Sequence, residues 1–181
     1  MHDADQVIRF STKSGELTAV GRDGMIEMVF PLRAVEKADS YEALSTALGA
    51  KPLGTFRYRL NGDDLYFLEL ESADAVVKLS PDFSALARTE ATAVIVTSAS
   101  SETEYDFVSR FFAPGVGISE DPVTGSAHCY LAPFWAERLG KRNLVGYQAS
   151  TRGGVVFCAP EGDTVILRGN AVTVLIAQLM V

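Results

Sequence analysis

The sequence predicts an α+β fold in which a barrel-like sheet wraps one core helix, and three observations carry that expectation. Short β-rich segments bounded by turn dipeptides occupy both ends of the chain. One long apolar segment with helical spacing, Ser126 to Leu139, lies between them. The composition, 181 residues of which 48% are hydrophobic and 22% charged, is that of a globular chain able to bury a sizeable core without staples.

In chain order, Val7 to Phe10, Glu16 to Val20 and Met25 to Phe30 read as strands, the last two joined at Asp23-Gly24, a dipeptide suited to a tight hairpin. Pro31 ends that run. Ser40 is the expected N-cap of a helix through Leu48, with Gly49 as its stop. Thr55 to Leu60 and Asp64 to Leu70 flank Asn61-Gly62, a strong hairpin signal. Two short helices are expected over Ala73 to Leu79 and Asp82 to Arg88, then strands over Ala93 to Ser98 and Tyr105 to Phe112.

The helix from Ser126 places Ala127, Leu131, Phe134, Trp135 and Leu139 at helical spacing and is apolar on its other faces too, so it reads as buried on most sides. Pro133 within it should cost about 3 kcal/mol and predicts a kink or irregularity near Cys129. Leu144 to Ala149, Val155 to Ala159, Thr164 to Leu167 and Ala171 to Met180 are strand again.

Lys and Arg number 16 against 23 Asp and Glu, a formal charge of −7. With no basic run, a nucleic-acid partner held through phosphates is not expected. Apolar stretches such as Ala171 to Ala177 fall short of the roughly 18 residues of a membrane span. The N-terminus carries neither a signal peptide nor a basic targeting segment, so a cytoplasmic protein is expected. Cys129 and Cys158 read as reduced thiols.

Chemistry concentrates in Gly117 to Cys129, which contains Glu120-Asp121-Pro122-Val123-Thr124-Gly125-Ser126-Ala127-His128. Two carboxylates precede a Thr-Gly-Ser that opens an apolar helix. The first N–H groups of a helix lack intrahelical partners and sit at the positive end of its dipole, so Gly125, Ser126 and Ala127 form a receptor for a carboxylate or oxyanion. Asp121 beside them is a candidate proton carrier or substrate-orienting group. His128, one turn inside the helix, is a candidate substrate contact, against a hydrogen-bonded structural role. An Asp or Thr before a helix is ordinarily a cap, and physics alone leaves capping and catalysis both open.

The segment Glu120 to Cys129, continued by Leu131-Ala132-Pro133 and Trp135, resembles the signature of the phenazine-biosynthesis PhzF-like isomerase family. Phe107 to Pro114, Gln148 to Gly154, Ser14-Gly15-Glu16-Leu17 and Gly169 to Val174 are similar to the flanking motifs of that family, in the same order along nearly the whole chain. The resemblance implies a diaminopimelate epimerase-like fold of two pseudo-symmetric domains, each a mixed, barrel-like sheet around a central helix, with the active site between them. It implies an isomerase that uses no cofactor and moves a proton on a small carboxylate substrate. Asp121 would orient or exchange that proton, and Gly125 with Ser126 would hold the carboxylate.

Members of the family are roughly half again as long, and their principal acid–base glutamate lies in an N-terminal region, with a Gly-His motif, that this sequence does not contain. The expected layout is therefore a remnant of the first domain over 1–31, a complete second epimerase-like domain over 32–168, and a strand over 169–181 returning to the first. A chain so divided should expose apolar surface and form a homodimer or associate with the missing N-terminal half. Its isomerase activity would be incomplete. The alternative is a catalytically inactive binding or assembly module that retains the anion pocket.

Other constellations are set aside. His128 and Cys129 are helix neighbours, about 100° apart, and cannot form a nucleophile pair. His2, His128, Cys129 and Cys158 lack zinc-ligand spacing, so no metal is expected. Arg152-Gly153-Gly154 is either a turn or a substrate contact. Gly21-Arg22-Asp23-Gly24 lacks the helix and Lys of a phosphate loop.

Overall fold

Turn residues and alternation at the N-terminus build a three-stranded meander: β1 (Ile8–Thr12), β2 (Gly15–Arg22) and β3 (Met25–Pro31). The computed structural model describes residues 6–12, 15–60 and 63–178. Asp23 and Gly24 both take positive φ, 52° and 78°, and Arg22 pairs with Met25 across them, as a two-residue hairpin with the twist of its strands requires. Pro31 is the last residue of β3, opposite Thr164.

A two-residue strand β4 (Glu36–Lys37) follows, which the sequence did not signal. Helix α1 (Glu42–Leu48) is capped at Tyr41, not at Ser40, and among the described residues no side chain caps its first amides. Its Cap at Gly49 stands at φ 69°, the left-handed conformation that favours glycine. Strands β5 (Gly54–Leu60) and β6 (Asp63–Glu69) pair antiparallel, with Asn61-Gly62 outside the described residues. Then come α2 (Ala73–Val77) and α3 (Phe83–Leu86), capped by the side chains of Ser72 and Asp82, followed by β7 (Ala93–Ala99) and β8 (Phe107–Phe112). Helix α4 (Gly125–Leu139) leads to β9 (Leu144–Gln148), β10 (Gly154–Glu161) and β11 (Thr164–Gly169).

Among the described residues these strands form one mixed sheet in the order β1-β2-β3-β11-β10-β9-β8-β7-β6-β5-β4. Only β6–β7 and β8–β9 are parallel, and each parallel pair is joined by a helical crossover, which parallel strands need. The β6–β7 crossover carries α2 and α3 and the β8–β9 crossover carries α4. The two crossovers cover opposite faces. Leu44, Leu68, Val94, Val96, Val108 and Phe112 pack with the short helices. Phe67, Ile95, Phe107, Leu144, Val156 and Val165 pack with Ala127, Leu131 and Trp135 of α4.

Residues from every strand from β5 to β11 thus enter one core with α4, so the sheet curls around the helix in the barrel-like way expected. The continuous apolar run of β7 has the same cause, because Ile95 faces α4 while Val94 and Val96 face the short helices. Glu27 on β3, only 7% exposed, accepts from Arg168 of β11 at 2.6 Å and lies 3.2 Å from Arg22 of β2. Three strands are joined at that point.

Helix α4 runs unbroken through Pro133, and the irregularity expected near Cys129 takes the form of one displaced backbone bond. The carbonyl of Cys129, which a proline four residues later cannot reach with an N–H, accepts from the backbone N–H of Arg33 at 3.1 Å instead. The strand expected over Ala171 to Met180 does not form in its described part: 170–178 have no regular structure, and Val172, Val174, Leu175 and Ile176 are 78 to 90% exposed. The nearby strands β3, β10 and β11 are already paired on both sides, and the open edges of the sheet lie at β1 and β4. The three-stranded meander before residue 32 continues the same sheet through the β3–β11 ladder.

Candidate functional site

The loop that leads into α4 is held in place before the helix begins. Arg110 on β8, 9% exposed, clamps Glu120 through two nitrogens, with Nε to Oε1 at 2.7 Å and Nη2 to Oε2 at 3.0 Å. Its third nitrogen donates to the carbonyl of Leu79 at 2.6 Å, beyond the end of α2. A forked guanidinium suits this arrangement, because it meets a carboxylate and backbone carbonyls at once. Glu120 is therefore committed to Arg110. The backbone N–H of Asp121 donates to Phe111 at 3.0 Å, which anchors the next residue to β8.

Asp121 itself is half-buried, and its Oδ2 accepts from the Thr124 hydroxyl at 2.5 Å. Gln148, 1% exposed at the end of β9, completes the corner. Its Oε1 accepts from the Thr124 N–H at 2.8 Å, and its Nε2 donates to the Asp121 carbonyl at 2.8 Å and to the Thr124 hydroxyl at 3.1 Å. Gln148 was missed as a site residue. The signal was present in the strand phase: Leu144, Gly146 and Gln148 share the inward face of β9, and an amide at such a position must find partners.

Thr124 is the N-cap of α4, yet among the described residues its side chain makes no capping bond and Asp121 accepts from no helix amide. The capping role open in the sequence is thus filled by neither side chain. Among the described residues the N–H groups of Gly125, Ser126 and Ala127 have no acceptor. A Cβ placed on Gly125 would meet no atom within 4 Å, so space lies in front of the helix. Gly125 forms part of the wall of an open groove of about 820 Å³, with Met28, Phe30, Val123, Arg152 and Gly154.

The expected site residues divide as follows. Gly125 lines the groove, Ser126 is exposed at the helix start, and Ala127 is buried, so it offers only its backbone. Asp121 bonds to Thr124, the neighbour of the groove residues Val123 and Gly125, and does not itself form the wall. Of the two roles open to His128, the structure places it in the hydrogen-bonded structural one. It is fully buried with Nδ1 2.8 Å from the Thr124 carbonyl and its ring 6.0 Å from that of Phe107, because a residue one turn after Thr124 faces the core and not the groove. Burial pushes its pKa down to about 4, so the ring is neutral near pH 7; Nδ1 donates to the carbonyl, and among the described residues Nε2 has no partner.

Arg152 stands in a turn, with Gly153 at φ 69°, and also on the groove wall, where it has no ion pair among the described residues. That turn is tied to the α4 approach by Ser150, whose hydroxyl donates to Pro122 at 2.8 Å and accepts from Gly153 at 3.0 Å. Cys129 and Cys158 are free and buried. No group of three or more His, Cys, Asp or Glu among the described residues is placed to hold a metal, and no described helix is long and apolar enough to cross a membrane.

The sequence and fold have their counterpart in known proteins. The family model of the PhzC-PhzF phenazine biosynthesis-like proteins matches residues 1–177. The chain belongs to this family. Within the PhzF family it is 46% identical over 178 residues to an uncharacterized isomerase of Halalkalibacterium halodurans, covering 98% of this chain and 66% of that protein. A crystal structure of a PhzF family protein from Enterococcus faecalis superposes with a TM-score of 0.85 at 35% identity, over 93% of this chain and 63% of the other. A PhzC/PhzF protein structure from Clostridium difficile gives 0.83 at 32% identity, over 97% and 66%. The chain spans 62 to 66% of the length of the curated relatives it matches first.

Proposed function

We propose that this chain provides the carboxylate-holding part of an isomerase that moves a proton on a small carboxylate substrate without a cofactor. The observation that carries this reading is the unoccupied row of amides at Gly125, Ser126 and Ala127 beside Asp121, whose carboxylate accepts from the Thr124 hydroxyl and whose backbone carbonyl accepts from Gln148. The amides receive the substrate's carboxylate, and the helix dipole adds to the attraction. Asp121 orients or exchanges the proton, with the Thr124 hydroxyl fixing its carboxyl. Membership in a family whose relatives are named isomerases supports the same reading.

Among the described residues no second acid–base side chain contacts Asp121, since Glu120 is held by Arg110 and His128 is buried. Full turnover therefore calls for a further group opposite Asp121. The apolar groove and the exposed 171–177 segment are where a second copy or an N-terminal half would bring it. The same observation favours a second reading, a binding module that keeps the anion pocket without turnover.

One experiment separates the two. The chain is incubated in D₂O with a panel of small carboxylates bearing an acidic C–H, and amide resonances of residues 125–127 are followed together with deuterium incorporation. Amide shifts with incorporation that Asp121→Asn abolishes support the isomerase. Amide shifts without incorporation select the binding module, and the absence of both overturns the site.

A further inference from the structure

A second cavity, of about 460 Å³, opens where the segment after β3 crosses toward β4, and its lining shares no residue with the α4 start. Tyr58 of β5 and Tyr130 of α4 form part of its wall. They are 7% and 6% exposed, with ring centroids 3.8 Å apart and planes inclined by 31°. Neither hydroxyl has a hydrogen-bond partner among the described residues. Both hydroxyls therefore open onto the cavity, where a ligand or solvent takes the bond that the protein leaves unmade. Burial, with Tyr130 and Cys129 nearby, raises the Tyr58 phenol well above its ordinary range, so it keeps its proton and remains a donor.

Arg33 supplies the charge. It lines the same cavity, is exposed, has no ion pair among the described residues, and its field reaches both Tyr130 and Cys129. The Arg33 backbone is held by its bond to the Cys129 carbonyl, which roots the side chain at the rim. Arg57 and Glu36, cross-strand partners on β5 and β4, complete the charged rim, and Glu36 is the one acid on it. Two guanidiniums and two phenols face Glu36 as the one carboxylate of this lining, and a small oxyanion can accept from Arg33 and both phenols.

We propose that this cavity is a binding site for a small oxyanion, a phosphate or carboxylate group, received by Arg33 and the hydroxyls of Tyr58 and Tyr130. It is independent of the site at Asp121. The test titrates inorganic phosphate and, separately, acetate into the whole chain at constant ionic strength, with binding followed by NMR at Arg33, Tyr58 and Tyr130. A saturable response is expected for at least one of the two anions, and the anion that responds identifies the source. Arg33→Ala, on an exposed side chain, should weaken that binding about tenfold, as loss of a charge-assisted bond does. Tyr58→Phe and Tyr130→Phe keep the stacked rings and should each weaken it several-fold, whereas Asp121→Asn should leave it unchanged. The absence of a saturable response to either anion, or Arg33→Ala binding as the parent chain does, overturns the proposal.

Discussion

Gly154 lies directly beneath Val123: a Cβ at residue 154 would sit 2.3 Å from Val123 Cγ2, closer than real atoms approach. The first residue of β10 therefore sets the position of the residue that precedes Thr124, the N-cap of α4. Gly154→Ala must displace Val123 and with it the amides in front of the helix. Overpacking of this kind costs about 1–3 kcal/mol. The expected outcome is a lower urea midpoint together with weakened carboxylate binding at 125–127. Adding Val123→Ala should restore most of both, and equal loss in the double variant would contradict the steric account.

Gln148 is the hinge pin of the same corner, with hydrogen bonds to Asp121 and Thr124 from both ends of its amide. Gln148→Leu has nearly the same volume but leaves the Thr124 N–H and Asp121 carbonyl without their partner. Unsatisfied buried groups of this kind make a loss of about 3 kcal/mol the expectation, read by chemical denaturation. Loss of the carboxylate-induced amide shifts should accompany it.

Pro133→Ala should stabilise the chain. The Cys129 carbonyl already accepts from Arg33 and has a second lone pair for a restored helical N–H. Because part of proline's helix penalty is already offset by that contact, the expected gain is about 1 kcal/mol, below the full interior value. Destabilisation on denaturant titration would show that the ring, through packing, outweighs the missing bond.

His128 predicts how stability depends on pH. Its folded pKa, about 4, lies below the ordinary 6.5, so the unfolded chain binds a proton more readily. The contribution is complete above pH 6.5 and is lost as the pH falls from there through 4. The difference corresponds to about 3 kcal/mol. A urea midpoint measured from pH 7.5 to 4.5 should fall in the parent chain and fall less in His128→Gln.

The hairpin at Asp23-Gly24, the stop at Gly49, the buried character of α4 and the arrangement of Asp121 before Gly125 were all legible in the sequence. Each depends on dihedral preferences, periodicity or helix ends that operate within a few residues. Only the tertiary structure decided that Gln148 meets Thr124 across 24 positions, that His128 turns into the core, and that Arg33 takes the carbonyl released by Pro133. It also decided that 171–178 stay unpaired despite their apolar sequence, since the strands on either side of β11 are already paired on both sides. Local preference selects an element; the partner that reaches it through the fold determines what its polar groups do.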